Sequence, residues 1–207
     1  MTTGTTQPWP SRRVLNVGGN SKTIAIPPHY DGWEHHLLDI DPAGKPDILC
    51  DAHNLVSLPG GQYDSIYCSH NLEHYFAHDV GRVLKGFRHV LKADGFADIR
   101  VPDLDALMKI YVSRNLDITD VLYQSNAGPI TVRDVLYGFG RKIATSGNDF
   151  FAHKTGFSPK SLARVLTECG FPHYRIASSR LEIRALAFTR PPTRDHQELL
   201  RLGLKSK

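Results

Sequence analysis

Short apolar runs alternate with turn-rich or helix-periodic stretches along most of this chain. Runs over residues 14–17, 36–40, 47–50, 65–69 and 97–101 read as strands. Residues 14–17 and 66–68 are almost uninterrupted apolar runs, the pattern of parallel strands covered on both faces. Val80, Val83, Leu84, Phe87, Val90 and Leu91 then recur at helical spacing, with Arg82, Lys85, Arg88 and His89 opposite. That spacing predicts a helix over 79–92, with Asp79 as its N-cap and Gly95 closing it in a left-handed conformation. Beyond Pro102 the pattern predicts helices over 103–114 and 131–144, broken by Asn126, Ala127, Gly128 and Pro129. Ser158 and Pro159 open a capped helix that runs to Cys169 and ends at Gly170. Strands over 174–178 and 182–189, joined by a short turn, form an expected antiparallel hairpin at the end of the sheet.

Strands alternating with helices imply an α/β fold built on a mostly parallel sheet. The 207 residues suit one domain. We place it at 12–190, with a helical insertion after strand five at about 103–150. Residues 1–11, rich in Thr, Pro and Gly, form an expected disordered tail. Residues 191–207 form an expected basic, solvated tail carrying Arg194, Arg201, Lys205 and Lys207. The tail has no aromatic residue, and the net charge of +4 is otherwise scattered, so no nucleic-acid partner is expected. Cys50, Cys68 and Cys169 are odd in number and widely spaced, as reduced thiols of a cytoplasmic protein would be. No run approaches the apolar length of a membrane span, and the start of the chain does not look like a secretory signal.

The candidate chemistry begins where the first strand ends in Gly18 and Gly19, with Asp39 closing the second strand downstream. A glycine turn lets backbone approach a ligand closely, and a carboxylate at a strand end accepts hydrogen bonds from two ribose hydroxyls. Asp41 is the rival anchor, but it precedes Pro42, which is a turn signal. His70, Asn71, Leu72, Glu73 and His74 match the H-x-x-E-H spacing of a zinc peptidase. Such a site needs both histidines within one helix, whereas His70 follows a strand directly. No metal is therefore expected, and Glu73 and His74 are read as stabilising local structure.

Several segments, in order, resemble the class I S-adenosylmethionine-dependent methyltransferases, specifically the small, single-domain, type 11-like branch. They are Tyr63 to Ile66, His70 to His74, Phe87 to Gly95, Ile99 to Pro102, Gly156 to Ser158 and Glu168 to Phe171. The resemblance implies a Rossmann-like, doubly wound seven-stranded sheet whose last strand is antiparallel. It also implies S-adenosylmethionine as cofactor, bound by Asn16, Gly18, Gly19, Asp39, Ile40, Asp51, Ala52 and Ser69. The implied activity is O- or N-methylation of a small, polar or phosphorylated acceptor held by residues 103–154. His70, His153 and Asp103 are the candidate catalytic residues. The chain departs from the family pattern at Asn16, where an acid is usual, and at Asn20 and Ser21. Pro27 and Pro28 predict a short or absent first helix.

Two other readings share these features. A catalytically silent binding module would keep the fold without cofactor affinity. An NAD-dependent Rossmann oxidoreductase would show a fuller G-x-G-x-x-G than this chain has. The identity of the acceptor and the oligomeric state leave no signature in the sequence.

Overall fold

A computed structural model describes residues 11–125 and 127–203. The strands are β1 (Arg13–Val17), β2 (Glu34–Asp39), β3 (Ile48–Leu49), β4 (Tyr63–Ser69), β5 (Leu91–Pro102), β6 (Val121–Ser125), β7 (Gly128–Thr131), β8 (His173–Ser179) and β9 (Glu182–Phe188). The helices are α1 (Val80–Val90), α2 (Leu104–Ser113), α3 (Val132–Tyr137), α4 (Gly140–Ser146), α5 (Pro159–Glu168) and α6 (Arg194–Leu199). Seven strands form one sheet in the order β3-β2-β1-β4-β5-β9-β8, parallel from β3 to β5. The last strand, β9, inserts antiparallel between β5 and β8. The strand order reverses between β1 and β4, so their carboxyl ends diverge and leave a crevice.

Strand periodicity decides which face each core occupies. Leu15, Val17, Ile66, Cys68, Ala97 and Ile99 join α1 and α5 in the larger core through Val83, Leu84, Phe87, Leu162 and Leu166. The alternate positions Val14, Phe96, Leu186 and Phe188 face the other way and pack with Tyr30 and Leu200. On that face Pro27 and Pro28 have the expected consequence: between β1 and β2 the only helical turn is the 3₁₀ turn Pro28–Tyr30. The Tyr30 hydroxyl bonds Ser65 Oγ at 2.8 Å and anchors this segment to the sheet.

The C-terminal segment contradicts the expected solvated tail. Residues 194–199 form α6, capped by Thr193, and His196 lies against the rings of Phe96 and Phe188. Leu199 at the end of this helix, with Leu200 and Leu202 just beyond it, packs into the same apolar cluster. Residues 1–10 and 204–207, which fall in the expected tails, lie outside the described residues.

Three local expectations also change. Gly95 does not take a left-handed backbone; α1 ends at Val90, and the missing Cβ leaves room for Leu91 and the Asp64 carbonyl. Residues 131–144 form two helices, α3 and α4, because Gly138 (φ +92°) turns the chain where a Cβ would strike the Phe151 carbonyl. Of the expected break, Asn126 lies outside the described residues, and Gly128 and Pro129 begin β7, which forms an unforeseen hairpin with β6. Leu107, Val132 and Val135 give the insertion a small core of its own, which Leu181 from the β8–β9 turn joins.

Candidate active site at the carboxyl ends of β1 and β4

A cavity of about 360 Å³ opens beyond the carboxyl ends of β1, β2 and β4. Gly18, Asp39, Ile40, Asp51, His70 and Asn71 are among its lining residues. Gly18 (φ +72°) turns the chain out of β1, and its amide donates to the Leu38 carbonyl at 2.8 Å. The Asn71 side chain occupies the space a Cβ on Gly18 would need. Gly19 is likewise crowded by the Asn16 side chain, which supports the loop from within β1 and leaves its own Oδ1 buried without a partner.

Asp39 is 8% exposed and ties this loop to β2. Its Oδ2 accepts from the Asn20 amide at 2.8 Å and its Oδ1 from the Asp41 amide at 2.9 Å. Each oxygen keeps a further lone pair for a ligand hydroxyl. Asp41 behaves as the turn residue its proline suggested, with Oδ1 accepting from the Ala43 amide at 2.9 Å. Asp51 caps the turn Ala52–Ser57 through the His53 amide at 2.9 Å, and its other oxygen meets His53 Nδ1 at 3.1 Å. Ala52 is buried beneath it. Ser69 ends β4 next to the cavity without being among the residues that line it.

His70 has a left-handed backbone (φ +51°), an uncommon state for a non-glycine residue that clusters at functional sites. Its Nε2 meets Glu182 Oε2 at 3.0 Å, and its Nδ1 lies 3.3 Å from Glu73 Oε1 without the alignment of a hydrogen bond. Burial opposes its charge, but Glu182 and Glu73 outweigh burial and lift its pKa to about 9. Its two carboxylate neighbours thus favour the protonated ring, a form that suits a proton donor better than a base.

The other two catalytic candidates stand elsewhere. Asp103 is 2% exposed and caps α2, its Oδ1 accepting from the Ala106 amide at 3.1 Å, so its carboxylate is committed to structure. His153 is neutral at pH 7, because burial lowers its pKa more than the nearby Glu73 raises it. It lines neither this cavity nor the larger one described next.

A second cavity, about 750 Å³, lies between α2, β6 and the β8–β9 turn. Arg114, Tyr123, Gln124, Arg180 and Glu182 line it, and His70 lines both cavities. Sequence reasoning missed Asn71, Tyr123, Arg114 and Arg180. Only Asn71, directly after a strand end, carried a local signal; the others come from elements whose packing the sequence did not reveal.

A family model described as a methyltransferase domain matches residues 31–98, the span from just before β2 into β5. Within that span the sequence resembles a methyltransferase domain, and the fold of the whole chain is that of S-adenosylmethionine-dependent methyltransferases. Its fold is shared with an S-adenosylmethionine-dependent methyltransferase from Archaeoglobus fulgidus, at 17% identity over 86% of each chain and a TM-score of 0.56. A methyltransferase from Methanosarcina mazei is also 17% identical, over 86% of this chain and 92% of its own, with a TM-score of 0.55. The CurJ carbon methyltransferase is 12% identical over 88% of this chain and 50% of its own, with a TM-score of 0.54. No curated protein matches the sequence. In this chain the antiparallel β9 and the incomplete glycine motif both disfavour the oxidoreductase reading.

Proposed function

We propose that this protein is an S-adenosylmethionine-dependent methyltransferase that methylates an oxygen or nitrogen of a small anionic acceptor, with the cofactor in the smaller cavity and the acceptor in the larger. The observation that carries the reading is that the two cavities meet at His70, beyond the carboxyl end of β4.

The donor set of the smaller cavity fits the cofactor. The Asp39 carboxylate suits the ribose hydroxyls, Asp51 suits the adenine amino group, and Ile40 offers an apolar edge to the ring. Gly18 lets the cofactor approach the backbone, and Asn71 presents a buried Oδ1 that has no partner within the protein. Asn16, Gly19, Ala52 and Ser69 support this wall. When bound, S-adenosylmethionine supplies an electrophilic methyl carbon on a sulfonium sulfur, so the protein's main contribution is alignment.

On the acceptor side, Arg114 and Arg180 make no ion pair among the described residues, and His70 adds a third cation. Guanidinium groups bind phosphate or carboxylate in bidentate fashion, which favours an anionic acceptor. Incubating the protein with labelled cofactor and a panel of phosphorylated and carboxylated hydroxy or amino compounds tests this reading. Arg114→Ala and Arg180→Ala should each raise acceptor KM roughly tenfold, the worth of one charged hydrogen bond, and leave S-adenosylhomocysteine affinity unchanged. Equal turnover of neutral and anionic analogues would contradict the acceptor class.

A further inference from the structure

The H-x-x-E-H run does not form the helical zinc site its spacing suggested, because Leu72–His74 is a single 3₁₀ turn and His70 precedes it with a left-handed backbone. The fold instead brings a different histidine to Glu73. The Glu73 carbonyl accepts from the amides of Lys154 at 2.8 Å and Thr155 at 3.1 Å, which docks the segment containing His153 against the turn. Glu73, His74 and His153 each then offer one ligand atom, all within 4.8 Å of one another.

The protonation pattern suits a metal. His74 Nδ1 meets the Ala152 carbonyl at 3.1 Å, and His153 Nδ1 meets the Val135 carbonyl at 2.9 Å. A carbonyl only accepts, so each Nδ1 carries its hydrogen, and in the neutral ring Nε2 is the nitrogen with the lone pair. Metal-bound histidine usually donates its other ring N–H to a carbonyl or carboxylate, which fixes the tautomer and the ring's orientation. The Glu73 side chain is 1% exposed, and among the described residues neither carboxylate oxygen has an aligned hydrogen bond: Oε1 faces His70 Nδ1 at 3.3 Å, and Oε2 has no partner. A buried carboxylate in that state is costly unless it is paired or coordinates a cation. His153 Nε2 is 3.9 Å from Glu73 Oε1, so a contraction of order 1 Å would bring the donors to about 2.1 Å from a central ion.

We propose that Glu73, His74 and His153 form a binding site for a divalent ion of the zinc class, with a fourth coordination position left open. Two imidazoles and a carboxylate with an open position are the donor set of catalytic zinc sites. His74 is the one member that lines the cofactor cavity, so the ion would lie at that cavity's wall. There a Lewis acid would lower the pKa of an acceptor hydroxyl. This role rests on the methyltransferase reading, whereas the uptake of metal does not.

The test is to strip the purified protein with chelator, dialyse it against Zn²⁺ or Co²⁺, and measure bound metal and the visible Co²⁺ spectrum. About one equivalent and a Co²⁺ ligand-field band are expected. His153→Ala, His74→Ala and Glu73→Gln should weaken uptake at least tenfold, while the exposed His78→Ala should match the parent. Circular dichroism and S-adenosylhomocysteine binding identify any variant that has lost its fold, and the conservative Glu73→Gln preserves side-chain shape if an alanine variant fails. Less than a tenth of an equivalent in the parent, or uptake unchanged in folded His153→Ala and Glu73→Gln, would overturn the proposal. If metal binds but S-adenosylhomocysteine does not, the site stands and the catalytic role falls.

Discussion

Gly18 shows how one residue joins loop conformation to site shape. Its backbone is left-handed and the Asn71 side chain fills the place of its missing Cβ, so Gly18→Ala meets both torsional and steric resistance. The torsional part alone should cost about 1–2 kcal/mol, read as a lower denaturation midpoint in urea. A variant as stable as the parent would show that the loop is more adaptable than this geometry allows. Asp98 makes the same kind of case on the opposite face of the sheet. It is fully buried and receives two bonds from Arg184, at 2.9 and 2.8 Å. Arg184→Ala would leave that carboxylate with only the longer contacts from His29 and Arg100, at 3.6 and 3.9 Å. A loss of roughly 3 kcal/mol is expected, at the low end for breaking a buried pair because Arg184 is itself one-third exposed.

At the scale of elements, α3 begins with a complete capping box: Thr131 Oγ1 accepts from the Asp134 amide at 3.2 Å, and the Asp134 carboxylate accepts from the Thr131 amide at 2.9 Å. This helix holds Val132 and Val135 in the insertion's core, so Thr131→Ala should cost about 1 kcal/mol in chemical denaturation. The elements legible in the sequence were those whose apolar period matches one buried face: β1, β4, α1, α5 and the β8–β9 hairpin. The hairpin of β6 and β7 was hidden because its strands are largely exposed and alternate weakly. The interruption between α3 and α4 was hidden because a Phe151 carbonyl, distant in sequence, decides what Gly138 must do. The shared lining of the smaller cavity was legible for a different reason. Gly18, Asp39 and Asp51 lie at strand ends, where topology alone brings them together, whereas Arg114 and Arg180 meet only through the packing of the insertion on the hairpin turn. The H-x-x-E-H spacing is a poor guide here because it has meaning only on an α-helix, and the chain forms a 3₁₀ turn there.

At the scale of the molecule, the missing first helix is offset by packing from both ends of the domain. Tyr30 and Trp33 cover one part of the sheet face and α6 covers another, so Leu200→Ala should destabilise the whole domain by roughly 2–3 kcal/mol. Among the described residues, no helix is long and apolar enough to cross a membrane. Because the glycine loop lacks a helix N-terminus to receive the cofactor's carboxylate, the proposed placement predicts that binding depends heavily on the polar residues at the ends of β2 and β3. A ligand that occupies this crevice stabilises the entire fold. S-adenosylhomocysteine at a hundredfold excess over its Kd should raise Tm by roughly 5–11 °C, and NAD should leave it unchanged. Calorimetric titration of S-adenosylhomocysteine into the parent and into Asp39→Ala tests the central claim most directly. The parent should bind one equivalent, and Asp39→Ala, still folded, should bind roughly 10–100-fold more weakly, the loss of a charged hydrogen-bond acceptor. No binding by the parent, or equal affinity in the two proteins, would contradict the placement of the cofactor at the carboxyl ends of β1 and β2.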